Sequence, residues 1–411
     1  MDAKQLSSVF LEGDTVPTEA VGVECKRENS TGLHPPLNRI HVWWARRPLT
    51  ASRFAITGSL VSDDWTAQDL LEILGIPKGK DPVKMRALID EMNRTNGQVN
   101  GGFGYPRAFT NVIPERLLAK FHSEINRSSR ANNIRVLDMF SGGGSIPFEA
   151  VRLGLSVLSS ELNPVASLLQ ISSIDFPCRF GSGFTTIIKQ AGDDTCTFLE
   201  TKLGKFFPKS ETEQIFAYVW VRTVHCSSCG LEAPLTPNWW LDRNGKVGFR
   251  ARSIEGQNAP EYVIEKAGSN GFDPEEGSVA RGVGTCIRCQ HIIPEDYIKS
   301  EAQAGRMGQQ MAAIMYKIKG RSGRHFRSST GDDLKSYEAA RTELLRRWPE
   351  WEAKGLIPME ERYIGPADRS ANYGIKYWYQ CFNPRQLLVH LTRLPVIAKR
   401  EAVSGRRAHQ T

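Results

Sequence analysis

The sequence has 411 residues, 40% of them hydrophobic and 24% charged, which is the composition of ordinary globular domains. Its 53 basic and 45 acidic residues give a net charge of +8, which favours an anionic partner such as nucleic acid. No apolar run approaches about 18 residues, and the N-terminus lacks a basic-then-apolar signal pattern. These features exclude membrane and secreted classes, so we expect a cytoplasmic protein with no membrane partner.

The first two predicted regions are an N-terminal segment, 1–60, and a helical insertion, 61–132. The first contains "HVWWARRPLTASR", in which two tryptophans precede two arginines and a helical pattern begins at Pro48. One interpretation is a helix N-terminus with core tryptophans and solvated arginines. The other is a segment that closes over a ligand, with an arginine on a carboxylate or a phosphate. The second region is charged and helical in pattern, as in "DPVKMRALIDEMNR".

A strand, a glycine turn and a helix are predicted within the third region, 133–210. "NIRVLDMF" is typical of a buried parallel strand, "SGGGS" of a turn that lets a ligand approach the backbone, and "IPFEAVRLG" of a helix whose first N–H groups face that ligand. A second strand, "LSVLSSE", ends at Glu161, 23 positions after Asp138. An acid at about that spacing holds ribose hydroxyls in doubly wound folds. A turn without a ligand is the alternative, but the acid favours a nucleotide-like ligand in an α/β, Rossmann-like core.

This predicted core is incomplete. After "LSVLSSE" we find no further parallel strand, and two strands leave unpaired edges and an uncovered face. We therefore expect another polypeptide segment to complete the sheet, and the isolated chain to be poorly soluble.

Two cysteine pairs mark the fourth region, 211–295. Cys226 and Cys229 form one C-x-x-C knuckle, and Cys286 and Cys289 form another after 56 intervening residues. Four thiolates are a complete tetrahedral set for Zn²⁺ and leave no open position, so we predict a structural zinc ribbon rather than a catalytic metal. Four unrelated buried cysteines are the alternative. The last region, 296–411, is predicted to be basic and helical, without a further buried strand.

Four elements occur in an order that resembles one enzyme family: "HVWWARRPLTASR", the D-x-F-x-G-x-G-like "DMFSGGG" with "ELNPVA" after it, the cysteine-pair insert, and "YGIKYWYQCFNPRQLL". They look like the zinc-ribbon-containing, adenine-specific DNA methylases that use S-adenosylmethionine, whose N-terminal region is often catalogued as a domain of unknown function. The resemblance implies that DNA is a partner. It also implies a set of cofactor-binding residues: Asp138, Phe140, Ser141, Gly142, Gly143, Gly144, Glu161, Asn163, Trp44 and Arg46.

One part of the family pattern is missing. Amino-methyltransferases position the target nitrogen with a [DNS]-P-P-[YFW] loop, and the one Pro-Pro pair here, Pro35–Pro36, is followed by leucine. The catalytic residues are therefore unknown. We expect the cofactor-binding part of a DNA adenine methyltransferase, related to restriction or phage defence, with the catalytic motif on a partner or on a further C-terminal part. The alternatives are a non-catalytic nucleic-acid-binding or regulatory subunit with a relic fold, and an RNA or protein methyltransferase.

Overall fold

The computed structural model describes residues 9–408, apart from residues 31–33, 63, 96–101, 128–133, 209, 364 and 366–367. The chain forms two compact units, Met1–Lys189 and Gln190–Thr411. The boundary between them falls inside the predicted 133–210 core region. The five predicted region boundaries stay predictions.

Five helices open the first unit: α1 (Thr18–Asn29), α2 (Leu49–Leu60), α3 (Ala67–Leu74), α4 (Pro82–Arg94) and α5 (Glu115–Arg127). Their ends follow local chemistry. The side chain of Thr66 accepts from the N–H of Asp69 in a capping box that starts α3, and the left-handed Gly75 ends it. Asp81 caps α4, with proline at its first position. These helices bury one apolar core that includes Leu70, Ile73, Leu74, Leu117 and Phe121.

A two-stranded parallel sheet follows. Strand β1 (Arg135–Asp138) leads through a loop into α6 (Ser145–Arg152) and then into β2 (Ser156–Ser159), which pairs with β1 in register. Val136 and Val157 pack against the helical core, whereas Leu137 and Leu158 on the other face are 62% and 54% exposed. The strand that we predicted to be buried is therefore buried on one face only. Only one face of this sheet is covered, because the described residues supply two strands and no layer on the other side.

The helices after β2 are mostly exposed. They are α7 (Pro164–Gln170), a π-helical turn (Ile171–Asp175), α8 (Phe176–Phe180) and α9 (Gly183–Leu203). All 21 residues of α9 are described, and Leu203 alone among them is buried. A helix of this length normally buries an apolar stripe along its whole course, and α9 does so only at its end.

The second unit is built from strands and three further helices. The elements are β3 (Glu213–His225), β4 (Glu232–Leu235), β5 (Trp240–Asp242), β6 (Val247–Arg252), β7 (Glu261–Lys266), β8 (Val279–Ala280), β9 (Val283–Thr285), β10 (Ile292–Ile293), α10 (Glu295–Gln303), β11 (Gly308–Ile318), β12 (His325–Ser328), α11 (Gly331–Ala353) and α12 (Pro384–Ala408). Three antiparallel sheets result, with strand orders β12–β11–β3–β4, β5–β6–β7 and β10–β9–β8. The chain is thus a mixed α/β protein with several sheets.

The region 296–411 is not wholly helical, so that prediction was wrong. Strand β11 pairs along almost all of β3, and its residues Met311 and Ile314 are buried. An apolar run such as "MAAIM" suits a buried helix as well as a strand, and the long partner β3 decides between them. Helices α11 and α12 pack around a separate core that includes Leu344 and Leu388. No helix in the described part of the chain is long and apolar enough to cross a bilayer.

Candidate cofactor loop and metal centre

The glycine loop connects the carboxyl end of β1 to the first residue of α6. Gly142 and Gly144 have φ angles of 51° and 85°, in the left-handed region that favours glycine. The N–H and Oγ of Ser141 both donate to the carbonyl oxygen of Ser160, at 3.2 and 2.9 Å. The loop is therefore tied to the chain just beyond the end of β2.

Glu161 lies against this loop, as its spacing from Asp138 predicts. Its Oε2 accepts from the N–H of Gly142 at 2.6 Å, and its Oε1 accepts from the N–H of Asn163 at 3.0 Å. The N–H groups of Asn163 and Gly142 lower the pKa of the Glu161 carboxyl, so it is ionised at neutral pH. Asn163 itself caps α7, because its Oδ1 accepts from the N–H groups of the second and third helical residues, at 2.9 and 3.3 Å.

Gln170, which we did not predict, holds the loop from below. Its buried Nε2 donates to the Oγ of Ser141 and to the carbonyl oxygen of Gly142, both at 2.8 Å. The π-helical turn begins directly after Gln170, and a Cβ added to Gly144 would lie 3.0 Å from the Cδ1 of Ile174 in that turn. Single π turns occur frequently at functional sites. A hydrophobic period cannot reveal one, so no sequence signal was available.

The first tryptophan of the N-terminal motif covers the loop. A Cβ added to Gly142 would lie 2.8 Å from the Nε1 of Trp43, and one added to Gly143 would lie 2.9 Å from the Trp43 Cβ. The bare backbone is thus required by a neighbour within the chain. Trp44, which we assigned to the cofactor, is 90% exposed, and its assignment stays a prediction.

Arg46, also assigned to the cofactor, is held by acidic and amide groups of α1. It donates to Oε1 of Glu28 at 2.6 Å and to Oδ1 of Asn29 at 3.1 Å. The buried Glu28 also accepts from the N–H groups of Leu49 and Thr50, so it caps α2. The described contacts of Arg46 are therefore structural.

Asp138 and Phe140 lie at the carboxyl end of β1. The Oδ1 of Asp138 accepts from the N–H of Phe140 at 3.3 Å and the carboxylate is half-exposed. Phe140 is 89% exposed, and Met139 and Leu162 are exposed beside the same strand ends. Three large apolar side chains are therefore exposed at this edge of the sheet.

The four cysteines of the second unit converge. The Sγ atoms of Cys226 and Cys289 are 3.7 Å apart, those of Cys229 and Cys286 are 3.6 Å apart, and all four lie within 4.8 Å of one another. Four sulfurs at about 2.3 Å from a tetrahedral zinc ion are about 3.8 Å apart. The cluster therefore has the size and the donor set for a metal ion such as zinc, which we also predicted.

Both knuckles are hairpin turns with the same hydrogen bonds. The N–H groups of Cys226 and Gly230 pair with the carbonyl oxygens of Leu231 and Cys226, and the second knuckle repeats this between Cys286, Gln290 and His291. Strands β3 and β4 flank the first turn, and β9 and β10 flank the second. Local backbone geometry therefore aims each sulfur pair before the two pairs meet.

The cluster holds its thiols in unequal environments. The backbone N–H of His291 lowers the pKa of Cys289 to about 6, whereas burial raises the pKa of Cys286 to about 12. A bound cation would deprotonate all four thiols and offset the burial of Cys286. His225 and His291 each adjoin a cysteine knuckle in sequence and are not part of the four-cysteine group.

Comparison with known proteins adds one finding. A family model described as a protein of unknown function, DUF1156, matches residues 15–73. The matched segment contains α1, α2 and the tryptophan–arginine motif, and it ends well before the glycine loop. No curated protein and no solved structure matches the chain.

Proposed function

We propose that this chain is the S-adenosylmethionine-binding part of a DNA adenine methyltransferase related to restriction or phage defence. A partner polypeptide or a further C-terminal part would supply the D-P-P-Y-type catalytic motif. The observation that carries this proposal is the placement of Glu161 on the N–H of Gly142, at the carboxyl ends of two parallel strands. Open α/β sheets bind nucleotide-like ligands at that edge.

Each loop residue has a role that its position allows. The half-exposed carboxylate of Asp138 would accept from the ammonium group of the cofactor, and Glu161 would accept from the ribose hydroxyls. Phe140 offers an exposed ring for the planar part of the cofactor. Bound S-adenosylmethionine supplies an electrophilic methyl group. Gly142 and Gly143 have no side chain, so the loop backbone would fit between this ligand and Trp43.

The uncovered sheet supports the need for a second polypeptide segment. Parallel sheets in α/β proteins are covered on both faces, yet Leu137 and Leu158 are exposed and β1 and β2 have no other partner strand among the described residues. Added parallel strands with their helices would bury this face. The same segment is the simplest carrier of the catalytic loop.

The four cysteines fit zinc as a structural ion in this proposal. All four ligand positions are filled by protein sulfur, so no coordination site is left for water or substrate. The ribbon would hold β3, β4, β9 and β10 together.

Calorimetric titration with S-adenosylmethionine tests the cofactor site. Asp138→Ala and Glu161→Ala should each bind about tenfold to hundredfold more weakly, because each removes a charged hydrogen-bond partner. Glu115→Ala, which removes an exposed carboxylate at the start of α5, should bind as the unaltered chain does. Equal affinity in all variants would reject the cofactor site. Absence of any binding would favour the non-catalytic nucleic-acid-binding subunit.

Co-expression with the segment encoded directly downstream tests the missing strands. Leu137→Glu and Leu158→Glu should leave the melting temperature of the isolated chain unchanged but abolish association with that segment. Val83→Glu, an equally exposed position on α4, should leave both properties unchanged. Methyl transfer to duplex DNA, compared with RNA, should then appear only when both parts are present. Efficient DNA methylation by the isolated chain would reject the hypothesis that a second polypeptide segment supplies the catalytic motif.

A further inference from the structure

A cavity in the first unit is lined by residues outside the glycine loop itself. Its volume is about 320 Å³. Its walls are formed by the short 3₁₀ segments near residues 34–39 and 108–110 and by the carboxyl half of α6; they comprise His34, Pro36, Arg39, Phe109, Thr110, Phe148 and Arg152. The volume is at the lower end of the range for small-ligand pockets.

The described lining residues of this cavity include two arginines and no acidic residue, although the Arg152 guanidinium is paired with Glu149 behind the wall. Arg152 is fixed in place: it donates to the carbonyl oxygens of Phe109 and Asn111 at 3.2 and 2.5 Å and to Oε1 of Glu149 at 2.8 Å. Arg39 is exposed at the rim and makes no hydrogen bond or ion pair with the residues that the structure describes. A fixed guanidinium and a second one whose side chain is free to bind, lining the same cavity, favour an anion such as phosphate, which guanidinium groups bind through their planar donors.

The rest of the cavity is apolar and aromatic. Phe109 is buried beneath it and Phe148 is half-buried, with the Arg152 guanidinium carbon 5.7 Å from the centre of its ring. A free phosphate ion would gain nothing from these rings. A phosphate joined to a sugar and a base would gain contact with them.

We propose that this cavity binds one backbone phosphate of a nucleic-acid strand, with the adjoining sugar or base against Phe148. Arg39 and Arg152 are the phosphate donors, and His34 lies at the same rim. The chain's net charge of +8 favours the same class of partner. This inference rests on the cavity and on the charge of the chain, and it stands whether or not the glycine loop binds S-adenosylmethionine.

Fluorescence anisotropy with a labelled single-stranded oligonucleotide of about 12 nucleotides tests the site, at several salt concentrations. Arg39→Ala should weaken binding about tenfold at low salt and reduce the slope of log affinity against log salt by about 1. Arg86→Ala is the matched control, because it removes an exposed arginine from α4, outside the cavity. The control should keep the original affinity and slope, and both variants should keep the original melting temperature.

Three outcomes would overturn the inference. The first is an Arg39→Ala variant that binds the oligonucleotide like the unaltered chain, and the second is an Arg86→Ala control that loses as much affinity as Arg39→Ala. The third is adenosine monophosphate binding as tightly as the oligonucleotide, because the cavity would then recognise a free nucleotide. Titration of Arg39→Ala with S-adenosylmethionine separates this site from the loop, since we expect that affinity to be unchanged.

Discussion

The four-cysteine cluster and the glycine loop are both signalled by short local motifs, yet the described residues supply all four ligands of the cluster and leave one face of the sheet beside the loop uncovered. In the ribbon, four sulfurs lie within 4.8 Å of one another and supply a full set of four ligand atoms. At the loop, Trp43 and Gln170 cover one side, while Phe140 and the outer sheet face remain exposed. A small metal ion needs only four ligand atoms. A cofactor on a parallel sheet also needs the neighbouring strands.

The largest effect is expected from removing one of the four cysteines, which tests whether all four are needed to bind the metal. Cys286→Ser should lose the metal, because it removes one of four ligands, and should unfold the ribbon, since structural zinc contributes about 10–16 kcal/mol to such folds. Elemental analysis should fall from one zinc per chain to none. Hydrogen exchange should accelerate across 211–295 and remain slow across 134–160.

Cys381→Ser is the control for this prediction. Cys381 is exposed and outside the cluster, so its loss should change neither zinc content nor hydrogen exchange. A Cys286→Ser protein that still binds one zinc per chain would contradict the four-cysteine assignment.

The next largest effect is expected at a buried ion pair in the first unit. Arg53 on α2 donates from Nε to Oε2 of Glu149 on α6 at 2.6 Å, and the two side chains are 2% and 0% exposed. Arg53→Met should cost about 3–5 kcal/mol of unfolding free energy, because it leaves a buried carboxylate short of a partner. Lys26→Met breaks the exposed pair with Asp90 and should cost less than about 1 kcal/mol.

Denaturant unfolding of both variants measures this contrast. A cost for Arg53→Met no larger than that for Lys26→Met would mean that this pair does not anchor the helix behind the loop. The anchoring of α6 would then depend on the segment that completes the sheet.

The cysteine spacing and the glycine run could be read from sequence because each fixes its own local backbone. A C-x-x-C knuckle presents both sulfurs through hydrogen bonds within six residues, such as that from the N–H of Cys226 to the carbonyl of Leu231. Glu161 could be read from its spacing to Asp138, since strand, helix and strand lengths set that distance.

The unpredicted features depend on residues that meet only in the fold. Gln170 follows Gly142 by 28 positions, and nothing local marks its amide as a loop support. Trp43 and Trp44 are neighbours of the same type, so sequence could not say which faces the loop.

A smaller effect is expected from adding a side chain to the glycine loop. It tests whether contact with Trp43 requires glycine there. Gly143→Ala keeps an accessible φ but adds a Cβ 2.9 Å from the Trp43 Cβ, which should cost about 1–3 kcal/mol through overpacking. Gly22→Ala on α1, where a Cβ meets open space, should instead gain about 0.5–1 kcal/mol. Denaturant unfolding of the first unit compares them, and a neutral Gly143→Ala would mean that Trp43 moves freely from the loop.

The smallest effect compares the two halves of the ribbon with each other. Gly230 and Gln290 occupy the same place in the two knuckles, four residues after the first cysteine, and their φ angles are 72° and 57°. Glutamine is sterically strained in this left-handed region, whereas glycine is not, and glycine loses more backbone entropy on folding. The balance of the two terms should make Gln290→Gly stabilise the ribbon by about 0.5–1 kcal/mol. Gln290→Ala keeps the Cβ and should give no gain. Chelator competition measures both, because a less strained knuckle should release zinc more reluctantly. Tighter zinc binding in the glycine variant alone would show that the second knuckle is strained at residue 290. The four sulfurs and their metal would then stabilise the ribbon against that strain. Equal values for all three proteins would place the left-handed turn outside the ribbon's stability and weaken the view that this site is self-sufficient.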